Sequence, residues 1–252
     1  MQDVYINSSG GAHELYSEMW QAALVAGKTI RTGTPQARHD YASMPAADLA
    51  GLFRGLHPGA LATGRFLAKE FRLERFEHLM DVGGGSGGAA IAACQACANL
   101  RATVVELPNT ATIARSFIDD ANLASRVKIM ACDVIREVPK DACDAAVMRN
   151  FVQVLAPDEA RRALKHVGAA MRENGELFIV GSVLDDNRLQ PDTALGLNLV
   201  YLGMYENGQS YTEAEHRAWL AEAGFSHIRV SFGVAPNGAT VIAARKSGAM
   251  GS

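Results

Sequence analysis

The octapeptide DVGGGSGG, residues 81–88, constrains the fold more than any other stretch of the 252-residue chain. It joins a short apolar run, HLMDV, to AAIAACQAC, an alanine-rich stretch that reads as a helix. Glycines at such a junction let the chain turn tightly and let a ligand lie against bare backbone, facing a helix N-terminus. The same alternation then repeats along the chain. ATVVEL precedes the helical TATIARSFIDDA, VKIMACDV is a third strand and DAAVMRN a fourth, and PDEARRALKHVGAAMR leads to GELFIVGSVL. Strands alternating with helices require a mostly parallel sheet covered on both faces. After helices at about 192–205 and 212–223, SHIRVSFGV and ATVIAARK are separated only by APNG. That is too short for a helical crossover, so these two strands pair antiparallel. The expected fold is α/β, a doubly wound sheet, mostly parallel, with an antiparallel C-terminal edge and added N-terminal helices.

Those N-terminal helices are read at residues 12–26, 46–55 and 59–71, with HisProGly at 57–59 breaking the last two apart and GTPQARHDYASM as a connecting loop. Thr212 and Glu215 form a capping box before AWLAEAGF, with Gly224 near the C-cap. The expected division is a helical segment over 1–72, a ligand-binding domain over 73–246 and a vector-derived tail, SGAMGS, over 247–252. A net charge of −3 and a pI near 6.2 leave no electrostatic footprint for nucleic acid or an anionic membrane. No apolar run is long enough to span a bilayer, and MQDVYINSSGG lacks the layout of a signal peptide, so a cytoplasmic location is expected. Cys94 and Cys97 form a CxxC inside a helical pattern with no second ligand pair nearby, which reads as small buried thiols rather than a metal site.

Gly83, Gly85 and Gly88 satisfy GxGxxG, and Glu106 ends the next strand, where a carboxylate can bind ribose hydroxyls. A nicotinamide dinucleotide would suit that pattern alone. Asp81, two residues before the first glycine, and Asp133 in CysAspVal at the end of the third strand point elsewhere. A carboxylate lining the turn suits a cationic ligand better than a pyrophosphate.

LMDVGGGSGG, VVELP, ACDV, MRNFVQVLAPDEARRAL, NGELFIVGSVL and SYTEAEHRAWLAEAGF, in that order over about residues 76–246, resemble successive blocks of the S-adenosylmethionine-dependent O-methyltransferases. The likeness is greatest to bacterial members acting on small aromatic, polyketide or carotenoid-like hydroxyl compounds. It implies the class I methyltransferase (Rossmann-like) form of the sheet, with S-adenosylmethionine as cofactor and S-adenosylhomocysteine as its product. It further implies that Asp81, Gly83 and Gly85 line the methionine portion, that Glu106 and Leu107 meet the ribose, that Asp133 and Val134 hold the adenine, and that Arg149 lies along the cofactor. Members of the family carry an N-terminal winged-helix domain that makes the dimer. Residues 1–72 leave room only for a linker and the last helices of such a domain, so a homodimer is left open.

The family's catalytic base is a histidine in the pattern LxxxLHDW after the fourth strand. Aligned on the strand and on the following DE pair, that position is Gln153. The two carboxylates that orient the histidine fall on Gly181 and Ser210, so all three matches are lost together. An amide takes no proton near neutral pH, but it can orient a substrate by donating and accepting hydrogen bonds. The expected nucleophile is therefore already acidic or enolic, or is served by another residue. His57, in GLHPGA, is the first alternative base, set against a capping or surface role. His166 and His216 lie among charged neighbours and are expected in solvent. Asn198, Tyr201, Met204 and Tyr205 share a helix face and either line a substrate pocket or form plain core; Asn150 binds substrate or cofactor, or simply ends its strand. No tight Asp/Asn cluster beyond Asp133 and Asn150 suggests a metal. The leading reading is a methyltransferase for a small molecule. A scaffold that binds the cofactor without transferring its methyl, and a nicotinamide oxidoreductase, are the alternatives.

Overall fold

The computed structural model describes residues 13–39, 41 and 43–248; the first twelve residues and residues 249–252 of the SGAMGS tail lie outside it. Each apolar run of the sequence is a strand: β1 (His78–Val82), β2 (Arg101–Glu106), β3 (Val127–Ala131), β4 (Cys143–Arg149) and β5 (Met171–Gly181). Helices α4 (Gly88–Ala96) and α5 (Pro108–Asp120) return the chain after β1 and β2, and α6 (Pro157–Ala170) joins β4 to β5. Two more strands, β8 (Phe225–Ser231) and β9 (Thr240–Lys246), complete a seven-stranded sheet in the order β3-β2-β1-β4-β5-β9-β8. The five strands β1 to β5 pair parallel, while β9 runs antiparallel to both β5 and β8. That is the doubly wound sheet with an antiparallel edge that the spacing predicts.

Period-two alternation sorts the side chains onto two cores. Met80, Val82, Met148, Ile179 and Ile242 point to the face covered by α6 and by α8 (Glu213–Glu222). Leu79, Val104, Val147, Phe178 and Val241 point to the other, covered by α4, α5 and the long helix α3 (Ala46–Glu70). All four cysteines are buried free thiols, Cys94 and Cys97 among them. Thr212 and Glu215 make the expected reciprocal cap at the start of α8, and Gly224 takes φ +80 just past its end.

A small two-stranded parallel sheet, β6 (Val183–Leu184) with β7 (Tyr211–Thr212), closes the far side of β5. It is anchored by the buried Tyr211, whose hydroxyl donates to the Leu155 carbonyl. Tyr211→Phe leaves that carbonyl without its donor and is expected to cost about 1–2 kcal/mol, read as a lower urea midpoint at unchanged slope.

The N-terminal region departs from its expected boundaries. Residues 46–70 form one helix with Pro58 inside it, not two helices broken at HisProGly. A proline removes one intrahelical hydrogen bond, but tertiary packing on α4 holds the two halves in line. Helices α1 (His13–Leu24) and α2 (Ala26–Thr32) pack against α7 (Asp192–Met204). The segment after α2 is tied down as well: Ala37 and His39 donate backbone N–H bonds to the carbonyls of Gly203 and Met204. His216 is buried rather than solvated, with Nδ1 at 2.8 Å from the Thr212 carbonyl and its ring beside Tyr211 and Trp219. Its charged neighbours take the solvent side of α8 and its own ring takes the core side. His166 is half-buried and engages the Val134 carbonyl through Nδ1 at 2.8 Å.

Candidate active site

The carboxyl ends of β1, β2, β4 and β5 open into a cavity of about 590 Å³, which α3 and α7 roof over. A second cavity of about 370 Å³ lies beside it, and both are walled by Gly83, Glu106, Leu107 and Phe151. They are two ends of one cleft at the point where the strand order reverses, the usual ligand position in an open α/β sheet.

The glycine turn supplies its floor. Gly83 and Gly85 have φ of +62 and +58, a region costly for residues with a side chain. A Cβ on Gly83 would run into the Phe151 ring, and one on Gly85 into the ring of Phe53. The bare backbone thus lies between two aromatic walls. Asp81, beneath the turn, is 1% exposed. One carboxylate oxygen, Oδ2, accepts from the Ala90 N–H at 3.1 Å. The other, Oδ1, has no hydrogen-bond partner. Burial pushes this carboxyl up to about 6, against smaller opposing effects of the Ala90 bond and the Arg149 charge. Glu106 accepts from the N–H groups of Gly85 and Leu107, each at 2.9 Å. Burial, aided by the charge of Asp81, pushes it up to about 7. Two carboxylates on one wall, Asp81 buried with a free oxygen and Glu106 half-buried, make a receptor for a cationic ligand.

Of these two cavities, Asp133 and Val134 line the smaller and not the larger. The Asp133 carboxylate accepts from the Ile135 N–H at 3.0 Å and pairs with Arg136 at 3.2 Å, which fixes it at that end. Arg149, at the end of β4, lines the larger cavity and donates from Nε to Thr63 Oγ1 at 3.1 Å. Gly59 explains why α3 can pass so close, since a Cβ there would stand 2.7 Å from the Arg149 Nη2. The HisProGly that reads as a helix break is where the helix slides over a guanidinium.

Of the substrate-side expectations, Asn150, Tyr201, Met204 and Tyr205 line the larger cavity. Asn198 does not. Its side-chain oxygen accepts from the Ser210 N–H at 2.7 Å, so it belongs to the support of α7. Gln153 is also off the cavity wall and only 3% exposed. Its amide nitrogen donates to Asn150 Oδ1 at 3.2 Å, and its side chain hydrogen-bonds the Tyr201 hydroxyl. The expectation that Gln153 touches substrate directly is therefore corrected: it can act only through these neighbours. His57 is corrected likewise. Its Nδ1 lies 2.7 Å from Ser86 Oγ and its ring stacks on Phe117, outside the cavity lining. Burial lowers its pKa.

Sequence reading missed Tyr41, which sits in the supposed connecting loop but lines both cavities. Its hydroxyl lies 2.6 Å from that of Tyr205, and its carbonyl accepts from the Asn109 side chain. A large aromatic inside a polar loop was the available signal. Phe53 and Leu56, one helical turn apart on α3, also went unassigned; their spacing with Leu52 and Ala60 marks one apolar face.

Known proteins bear on this geometry. The family profile of the O-methyltransferase domain matches residues 40–226. The chain belongs to the O-methyltransferase family. Among curated relatives, the 3-hydroxy-5-methyl-1-naphthoate 3-O-methyltransferase of Streptomyces sahachiroi is 29% identical over 196 residues, which cover 77% of this chain and 56% of that protein. The acetylserotonin O-methyltransferase of Mus musculus molossinus is 34% identical over 194 residues, covering 75% of this chain and 49% of the relative. The chain thus spans about half the length of the curated relatives it matches. Human N-acetylserotonin methyltransferase, solved in complex with S-adenosylmethionine, superposes with a TM-score of 0.76 at 19% identity, over 90% of this chain and 68% of that one. Such a likeness shows the shared O-methyltransferase fold. Among the described residues, no helix is long and apolar enough to cross a membrane.

Proposed function

We propose that this O-methyltransferase domain is an S-adenosylmethionine-dependent methyltransferase for a small hydroxylated aromatic, polyketide-like or enolic compound, and that it works without a histidine base. The observation that carries the reading is the unpartnered Asp81 Oδ1, buried beneath bare glycine backbone and joined on the cavity wall by a half-buried second carboxylate, Glu106. Those features fit a cofactor that bears a positive charge and ribose hydroxyls. Asp81 with Gly83 and Gly85 would hold the methionine part, Glu106 and Leu107 the ribose, and Asp133 with Val134 the adenine end. When bound, S-adenosylmethionine supplies a methyl group on a sulfonium sulfur, which an acceptor oxygen takes as the sulfur becomes a neutral thioether.

The chain's own contribution is then alignment and exclusion of water. Phe53, Phe151, Tyr41 and Tyr205 give the larger cavity flat aromatic walls, and Leu56, Leu197 and Met204 add apolar surface suited to an aromatic or polyketide-like ring. An in-line displacement gains much of its rate from holding donor and acceptor in register. Oxygen is the favoured acceptor, by kinship; an activated carbon would use the same alignment.

Calorimetry with S-adenosylmethionine, S-adenosylhomocysteine and NAD tests the reading. Micromolar binding of the first two and none of NAD is expected. Tight NAD binding without sulfonium binding overturns it. A panel of phenols, enols and carboxylic acids, followed by mass spectrometry for a gain of one methyl, then separates an enzyme from a scaffold that only binds cofactor.

A further inference from the structure

The polar groups at the exit of β4 form a set that general-base catalysis would not need. Among the described residues lining the larger cavity there is no histidine, cysteine or lysine. Where an imidazole would stand, Gln153 is buried and bonded to Asn150 and Tyr201. Gly181 leaves the room that this amide fills, because a Cβ there would lie 3.0 Å from both Gln153 head-group atoms. Ser210 is turned away, its Oγ 2.7 Å from Ser182 Oγ. The third position is thus spent on packing β6 and β7, and nothing at the three sites takes a proton.

At the same strand end stands a cation with unused donors. Arg149 gives one N–H to Thr63, and no carboxylate lies within ion-pair distance of it among the described residues. A guanidinium has five donors, so contact with a cofactor leaves others for a substrate. Tyr201 and Arg149 line the same cavity and interact electrostatically. Gln153 fixes the Tyr201 hydroxyl from behind.

We propose that Arg149 and Tyr201, with Gln153 as the positioning residue, form a receptor for an oxyanion, and that the substrate is a phenol or enol acidic enough to arrive ionised. The proton leaves to bulk water before transfer, so the protein needs no acceptor for it. The oxygen then forms its bond to the methyl carbon as the carbon–sulfur bond of the sulfonium donor breaks, and that electron pair stays on sulfur. Tyr201 donates its O–H to the oxyanion and Arg149 balances the charge. This inference rests on the methyl-transfer reading above, and its test keeps the two apart.

The probes are para-nitrophenol and a series of less acidic para-substituted phenols, followed by phenolate absorbance, with and without S-adenosylhomocysteine. Binding to the wild type is expected to lower the apparent pKa of the bound probe by about 1 or more, which corresponds to a preference for the anion of about tenfold or more. Arg149→Met should abolish the effect, Arg149→Lys should restore part of it, and Tyr201→Phe and Gln153→Ala should each reduce it. In turnover, kcat/KM for each phenol should rise about tenfold per pH unit up to that phenol's own pKa and then level. Binding of the neutral phenol, no spectral change at saturating probe, or one break point common to all phenols overturns the proposal. If S-adenosylhomocysteine fails to bind, the methyl-transfer reading falls, while the anion preference measured without it still decides the receptor.

Discussion

Replacing Asp81 with asparagine is expected to weaken S-adenosylhomocysteine binding about a hundredfold at pH 8, the scale of one lost charge-assisted buried bond. The same change is expected to raise the thermal midpoint of the ligand-free protein at that pH. Both results follow from one geometry. Asp81 is buried, spends Oδ2 on the Ala90 N–H, and leaves Oδ1 with no partner. An asparagine oxygen can still accept from Ala90, so the helix start survives. What disappears is a charge that helps only when a cation faces it.

The pH dependence separates this account from a merely structural role. Burial lifts the Asp81 carboxyl to about 6 and the Glu106 carboxyl to about 7 in the folded chain. Between their ordinary values and these raised ones, the folded protein keeps protons that the unfolded chain has lost. Stability from the two groups is therefore full below about pH 4 and is lost as pH rises through 6 and 7. Each tenfold rise in a carboxylate's proton affinity on folding corresponds to about 1.4 kcal/mol. On that scale the asparagine variant gains about 2–3 kcal/mol over the wild type at pH 8, and the gain fades toward pH 4. Cofactor affinity runs the other way: it rises with pH through the same window in the wild type and less steeply in the variant, where Glu106 alone still titrates there. Thermal melts and calorimetry at pH 5 and 8 read both. Equal midpoints together with equal affinities would falsify the role given to Asp81.

The outline of the sheet was legible because its signals are local. DVGGGSGG between an apolar run and a helical one, the repeated alternation, and APNG between two strands each determine an element within a few residues. The candidate cofactor wall was legible for a related reason, since residues at strand ends cluster wherever strands run parallel. The roof of the cleft was not. Pro58 breaks a helix by local rules, yet α3 continues through it because its neighbours lie on α4 and Arg149, far away in sequence. Tyr41 reads as loop until the backbone bonds at Ala37 and His39 place its segment beside α7. Spacing put Asn198 on one face with Tyr201, but it could not say that the Asn198 oxygen would cap the Ser210 N–H. Gln153 is the sharpest case. Its position follows from alignment, while its burial behind Tyr201 depends on the empty space at Gly181, which only the folded backbone reveals.

Gly64→Ala is expected to destabilise the protein by about 2 kcal/mol or more, although alanine is the better helix former. In a free helix the exchange would stabilise by about 1 kcal/mol. Gly64 lies where α3 crosses α4, and an added Cβ would press on the Ala89 carbonyl oxygen and stand 2.9 Å from the Ala92 Cβ and 3.0 Å from the Ala89 Cα. Those atoms are backbone or a methyl of a helix buried throughout most of its length, so no flexible side chain can yield. The helices must separate, and overpacking costs about 1–3 kcal/mol, occasionally more; against rigid backbone the upper end applies and outweighs the propensity gain of about 1 kcal/mol. Gly196→Ala on α7 is the matched control, with nothing within 4 Å of its added Cβ. There the midpoint should rise by the propensity alone. Urea melts that moved both variants in the same direction would sink the packing argument. The separation should also reach the site, because Thr63, next to Gly64 on α3, accepts from the Arg149 guanidinium, and Gly59 leaves the room in which it lies. The Gly64 variant should therefore bind phenolate probes more weakly even at temperatures where it stays folded.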